Sequence, residues 1–147
     1  MPVRAAMPNP VASTVRERVV ADHVYLRKVL DWLEHAGDDE SIAVLLDELG
    51  GYLPDHFASE EKPGGLFAVV VRDAPRLARR AKLLKDQHGQ MLTMLKGLRR
   101  DCPHDLVPPC ADFRRRVDEL VAMLRDHEAE ETLMLADAVG AAQEEGS

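Results

Sequence analysis

The chain has 147 residues, of which 46 % are hydrophobic, 31 % charged and only 4 % aromatic, enough for one domain with a core of Leu, Val, Ala and Met. Nineteen Lys and Arg against 26 Asp and Glu leave a net charge of -7, which argues against binding nucleic acid through a cationic face. No apolar run is long enough to span a bilayer, and two cysteines are too few for a disulfide scaffold and fit a reducing cytoplasm.

Residues 1–13 read as a flexible N-terminal tail rather than a signal peptide, because they lack an apolar stretch. Thr14 followed by Glu17 has the spacing of a capping box. It predicts a first helix from Val15 to Ala36, stopped at Gly37, with Val19, His23, Leu26, Leu30 and Leu33 along one stripe. Asp38 to Ser41 is rich in capping residues and leads into a second helix ending near Glu61. Its stripe is Ile42, Leu45, Leu49, Leu53, His56 and Glu60, and Pro54 predicts a kink or break near Gly50–Pro54. Lys62 to Asp73 reads as a long connection.

A third helix is predicted from Ala74–Pro75 to Arg100, with Leu77, Ala81, Leu84, His88, Met91, Leu95 and Leu98 on its stripe. The prolines of CPHDLVPPC forbid a continuous helix there. A fourth helix is predicted from Ala111 to Val139, ending at Gly140, and residues 141–147 read as a polar tail. Its stripe is Val117, Leu120, Leu124, His127, Glu131, Met134 and Ala138. No segment alternates as a strand does, so residues 14–140 are expected to form an all-α, up-down-up-down antiparallel four-helix bundle.

The informative residues are polar ones on these apolar stripes. Each helix carries one histidine there: His23, His56, His88 and His127. Glu60 and Glu131 follow His56 and His127 by four positions, hence on the same helix face. Counted from the shared turn, His23 and His56 lie roughly 20 and 22 Å deep, at one level of the bundle. Two buried carboxylates among four imidazoles are costly without a cation. His23 then His56-x-x-x-Glu60 is echoed by His88 then His127-x-x-x-Glu131, so two hairpins offer the same donors about a pseudo-twofold axis. The arrangement suits two metal ions, one on His23 and His56, the other on His88 and His127, with Glu60 and Glu131 bridging. Imidazole and carboxylate donors with open positions favour iron over calcium or structural zinc, with zinc and manganese as alternative occupants.

With these residues, and with YLPDHFASEEK and LRDHEAEETLM in the second and fourth helices, the sequence resembles the hemerythrin-like (HHE cation-binding) domain from Thr14 to Val139. The resemblance implies a four-helix bundle holding two non-haem iron ions with a bridging oxo, hydroxo or water oxygen. It implies a small-molecule ligand: O2, hydrogen peroxide or nitric oxide. The oxygen-carrying members place a second histidine four residues after the third-helix histidine, where this chain has Leu92, and an aspartate five residues after the fourth-helix histidine, where this chain has Glu131 at four. Such a ligand set favours ferric iron and disfavours reversible O2 carriage. Peroxide or nitric oxide chemistry by an oxidoreductase is therefore the leading expectation. An oxygen- or iron-sensing module and simple metal buffering are the alternatives.

Tyr52, one turn before His56, is a candidate hydrogen-bond donor behind the ligands or even a ligand, or else a core-capping tyrosine with its hydroxyl in water. Glu61 and Glu128 are expected on the solvated surface, with the alternative that one supplies a carboxylate if its helix rotates; the basic cluster Arg72 to Lys82 and the run Arg114–Arg116 read as solvated faces or else as a partner surface. Cys102, His104 and Cys110 could form a small zinc or redox site, against the plainer expectation of free cysteines.

Overall fold

A computed structural model describes residues 10–103 and 110–145, and the described chain is helices joined by short connections, with no strand. Helix α1 spans Pro10–His35, α2 Asp39–Glu61, α3 Leu66–Asp73, α4 Ala78–Asp101 and α5 Ala111–Glu145; a 3-10 turn, Pro75–Leu77, leads into α4. The four long helices pack in a closed ring, α1 on α2, α2 on α4, α4 on α5 and α5 on α1. Cross-helix contacts run in opposite directions along each pair, for example Arg99 with Asp47 and His88 with Glu61 between α4 and α2. The protein is an antiparallel four-helix bundle, and no helix of the described residues is long and apolar enough to cross a membrane.

The helix ends follow local chemistry. Asp38 caps α2, its carboxylate accepting from the Ser41 backbone N–H at 2.7 Å. Arg114 donates to the Ala36 carbonyl at 3.0 Å, and also to the Glu34 carbonyl. This guanidinium closes the C-terminal end of α1, so Arg114 is not the solvated residue expected of its run. Helix α1 begins at Pro10, which places Thr14 inside the helix rather than at its cap. Helix α5 continues through Gly140 to Glu145; a glycine inside a helix costs only about 1 kcal/mol and no proline follows to stop it. Helix α2 runs unbroken through Pro54, and the Arg99 side chain occupies the space beside Gly50 that a Cβ would need.

The expected connection after α2 holds a helix of its own. Leu66, Phe67, Val69 and Val70 of α3 are buried and join Val15, Val19, Leu77, Leu84, Met134 and Leu135 in one apolar cluster. A second cluster, which includes Leu30, Leu33, Leu46, Leu49, Leu98 and Leu120, fills the other end of the bundle. The predicted stripes face inward; on α2, Leu45 is only partly buried and Leu46 takes the core position. Between the two clusters lies a buried polar layer: His23, His56, Glu60, His88, His127, Glu128 and Glu131. Residues 104–109, and His104 with them, lie outside the described residues; Cys102 and Cys110 are not in a disulfide, the first buried and the second exposed.

Candidate metal centre

Helix α1 delivers His23, α2 His56 and Glu60, α4 His88, and α5 His127 and Glu131, each at most 6 % exposed. The six form two overlapping groups, His23, His56, Glu60 and Glu131, and Glu60, His88, His127 and Glu131. Within each group one donor atom per residue lies within 4.8 Å of all the others. The carboxylates belong to both. Glu131 turns Oε1 to His23 Nε2 at 3.4 Å and Oε2 to His127 Nε2 at 3.3 Å. Glu60 turns Oε2 to His56 Nε2 at 3.6 Å and Oε1 to His88 Nε2 at 3.1 Å. The Nε2 atoms of His88 and His127 are 3.1 Å apart. The two nitrogens are within hydrogen-bond distance of each other, and two nitrogen ligands about 2.1 Å from one ion and at right angles would stand about 3 Å apart as well.

The outer nitrogen of each imidazole is held by an oxygen from another helix. His56 Nδ1 lies 3.1 Å from Asp22 Oδ2, and His88 Nδ1 lies 3.1 Å from Glu61 Oε2. His127 Nδ1 lies 2.7 Å from Gln87 Oε1. His23 Nδ1 lies 3.2 Å from Thr132 Oγ1, whose own hydrogen goes to the Glu128 carbonyl at 3.1 Å. The same Nδ1 is 3.5 Å from the Glu128 carboxylate, which pairs with Arg27 Nε at 3.0 Å. A ring whose Nδ1–H is engaged in this way presents the Nε2 lone pair inward.

These partners obey the internal repeat. Asp22 precedes His23 and serves His56; Gln87 precedes His88 and serves His127. Glu61, five residues after His56, serves His88; Thr132, five residues after His127, serves His23. Each group thus has one imidazole backed by a carboxylate at 3.1 Å and one backed by a neutral oxygen within 3.2 Å. Glu128, expected on the surface, is buried at 4 % exposure because it faces His23 across the α1–α5 contact. Glu61 is exposed yet reaches His88.

The electrostatics call for a cation. Burial pushes His56 and His88 below the ordinary histidine range, which favours the neutral imidazole that ligation requires. Burial, reinforced by the charge of Glu131, pushes Glu60 up to about 11. Glu131, despite burial that opposes its charge, is held below the ordinary carboxylate range by bonds to His127 and His23. Without a cation, burial and mutual repulsion disfavour a negative charge on both carboxylates at once. His23 Nε2, both Glu60 oxygens and Glu131 Oε2 lie close to the neighbouring donors of the layer but make no well-aligned hydrogen bond. Inward-facing polar atoms of this kind are expensive unless something binds them, and imidazole nitrogens with carboxylate oxygens form a donor set for a transition metal.

A model of the hemerythrin HHE cation-binding domain matches residues 14–139. The chain belongs to this family. The hemerythrin HHE domain binds metal cations, and the buried His and Glu groups of this member lie inside the matched segment. The searches of curated proteins and of solved structures gave no match.

Tyr52 stands behind the site rather than at its centre. Its ring stacks on His56, centroids 5.3 Å apart and planes 13° apart, and its hydroxyl donates to the Asp22 carbonyl at 3.3 Å. On the other side, the Phe57 ring stacks on His88 at 3.9 Å and 8°. Leu92, at the position of the oxygen carriers' additional histidine, packs against the apolar core.

Proposed function

We propose that this hemerythrin HHE protein is a non-haem di-iron oxidoreductase that decomposes hydrogen peroxide or reduces nitric oxide. His23 and His56 hold one ion, His88 and His127 the other, and Glu60 and Glu131 bridge them. The observation that carries this reading is that each carboxylate turns one oxygen to each pair of histidines. One ion would leave half of those donors unsatisfied. With two imidazoles and two carboxylate oxygens to offer each ion, the chain would leave room for a small exogenous ligand.

Iron bound there supplies Lewis-acid and redox chemistry. The chain's own residues do the rest. The apolar clusters above and below exclude bulk water and sharpen the electrostatics within. Asp22, Glu61, Gln87 and Thr132 fix the rings so that ligand geometry survives a change of charge at the centre. Glu60 and Glu131 would supply the negative charge that balances the ions, each from its own helix.

The test is peroxide and nitric oxide consumption by iron-loaded protein, compared with Glu131→Ala. Catalytic consumption that the variant loses supports the reading. A stable adduct without turnover would replace it with a sensing or binding role, and iron-free behaviour under every loading condition would overturn it.

A further inference from the structure

Only two tyrosines occur in the chain, and both stand in one line that ends on the centre. Tyr52 lies against His56 with centroids 5.3 Å apart. Tyr25 lies against Tyr52 with centroids 4.7 Å apart. Tyr25 is at the surface, 36 % exposed, and its hydroxyl donates to the carboxylate of Glu48. The opposite half of the centre is built differently: His88 is flanked by Phe57 at 3.9 Å and Phe67 at 5.5 Å. Phenyl rings resist one-electron oxidation, whereas phenols yield an electron readily when a base takes their proton. Oxidisable rings in contact therefore lead from the His56 side to solvent, and inert rings line the His88 side.

We propose that Tyr25 and Tyr52 form an electron path by which small one-electron donors, of the ascorbate or hydroquinone class, supply the centre during peroxide reduction. The proposal rests on the peroxide reading above. Hydrogen peroxide takes up two electrons and two protons as its O–O bond breaks, giving two waters. Two donor molecules each give up one hydrogen atom, as an electron and a proton, and leave as radicals. Each electron enters at Tyr25 and moves inward through Tyr52 and His56, Tyr52 keeping its proton in the bond to the Asp22 carbonyl as the electron passes, and the two protons that the donors give up to solvent replace the two taken up into water. While Tyr25 is short of an electron its phenolic proton rests on Glu48, and both return when the donor reacts. Contact between successive rings keeps each transfer short, and the exposed edge of Tyr25 is where a donor too large for the buried layer can reach the chain.

The test uses iron-loaded full-length protein mixed with hydrogen peroxide and frozen at once for electron paramagnetic resonance. A tyrosyl radical is expected, with a hyperfine pattern that narrows when the chain carries ring-deuterated tyrosine. Ascorbate in the mixture should remove it. In Tyr25→Phe and in Tyr52→Phe the rate of ascorbate oxidation should fall about tenfold, with iron content and circular dichroism unchanged, since phenylalanine preserves the ring packing. Unchanged ascorbate oxidation in both variants would overturn the path. So would the absence of a tyrosyl radical in protein whose optical spectrum peroxide has altered. An optical spectrum that peroxide leaves untouched would remove the peroxide reading, and the path with it.

Discussion

The carboxylate of Asp22 holds the outer nitrogen of His56, Oδ2 to Nδ1 at 3.1 Å, across the α1–α2 contact. Asp22 sits beside His23 in sequence but serves a histidine 34 positions away. The pair fixes which His56 nitrogen faces the centre and raises the basicity of that nitrogen. Asp22→Asn should weaken metal affinity about 10- to 100-fold while leaving the helical content intact. Competition with a chelator of known affinity measures this; an unchanged affinity would show that the carboxylate's charge adds nothing beyond a hydrogen bond that the asparagine amide oxygen also accepts.

Metal uptake should release protons at neutral pH. In the metal-free protein burial and the charge of Glu131 push the Glu60 carboxyl far above the ordinary carboxylate range, so the pair carries a proton at neutral pH that a bound cation displaces. Affinity should therefore rise with pH through the neutral range, by up to about tenfold per pH unit for each proton released. Calorimetry of metal binding in buffers of different ionisation enthalpy reads the number directly. No proton release at pH 7 would mean that Glu60 is ionised before the metal arrives.

Two glycines should respond to alanine in opposite directions. At Gly65 a Cβ would lie 2.8 Å from the Glu60 carbonyl oxygen and press on the Ser59 carbonyl as well. Both are backbone atoms that cannot swing aside, so Gly65→Ala should cost about 1–3 kcal/mol and shift the α2–α3 corner beside Glu60. At Gly51, inside α2, nothing lies within 4 Å of the added methyl. Gly51→Ala should stabilise the protein by about 1 kcal/mol through helix propensity. Thermal unfolding of the metal-free forms checks both.

How far the sequence reveals this arrangement depends on which residues carry the information. The convergence of the four histidines and two glutamates in one buried layer was legible because a helix places residues four apart on one face, and a polar residue on an apolar stripe stands out. The bundle follows from the same stripes. Helix α3 was not legible: LFAVVVRD is short and rich in β-branched residues, and it is held helical by burial of Leu66, Phe67, Val69 and Val70 against α1, α4 and α5. The oxygen partners of the histidines were not legible either. Asp22 and Gln87 act across helix contacts, and their roles depend on how neighbouring helices are rotated, which periodicity within one helix does not encode. Glu128 misled for the same reason, since its burial is imposed by α1 through His23 and Arg27.

The central claim is a centre of two ions bridged by Glu60 and Glu131. It is tested most directly by iron content per chain together with the Mössbauer spectrum of the iron-loaded protein. Two irons per chain with the spectrum of a spin-coupled ferric pair is the expected result. One iron per chain, or two irons without magnetic coupling, would contradict it.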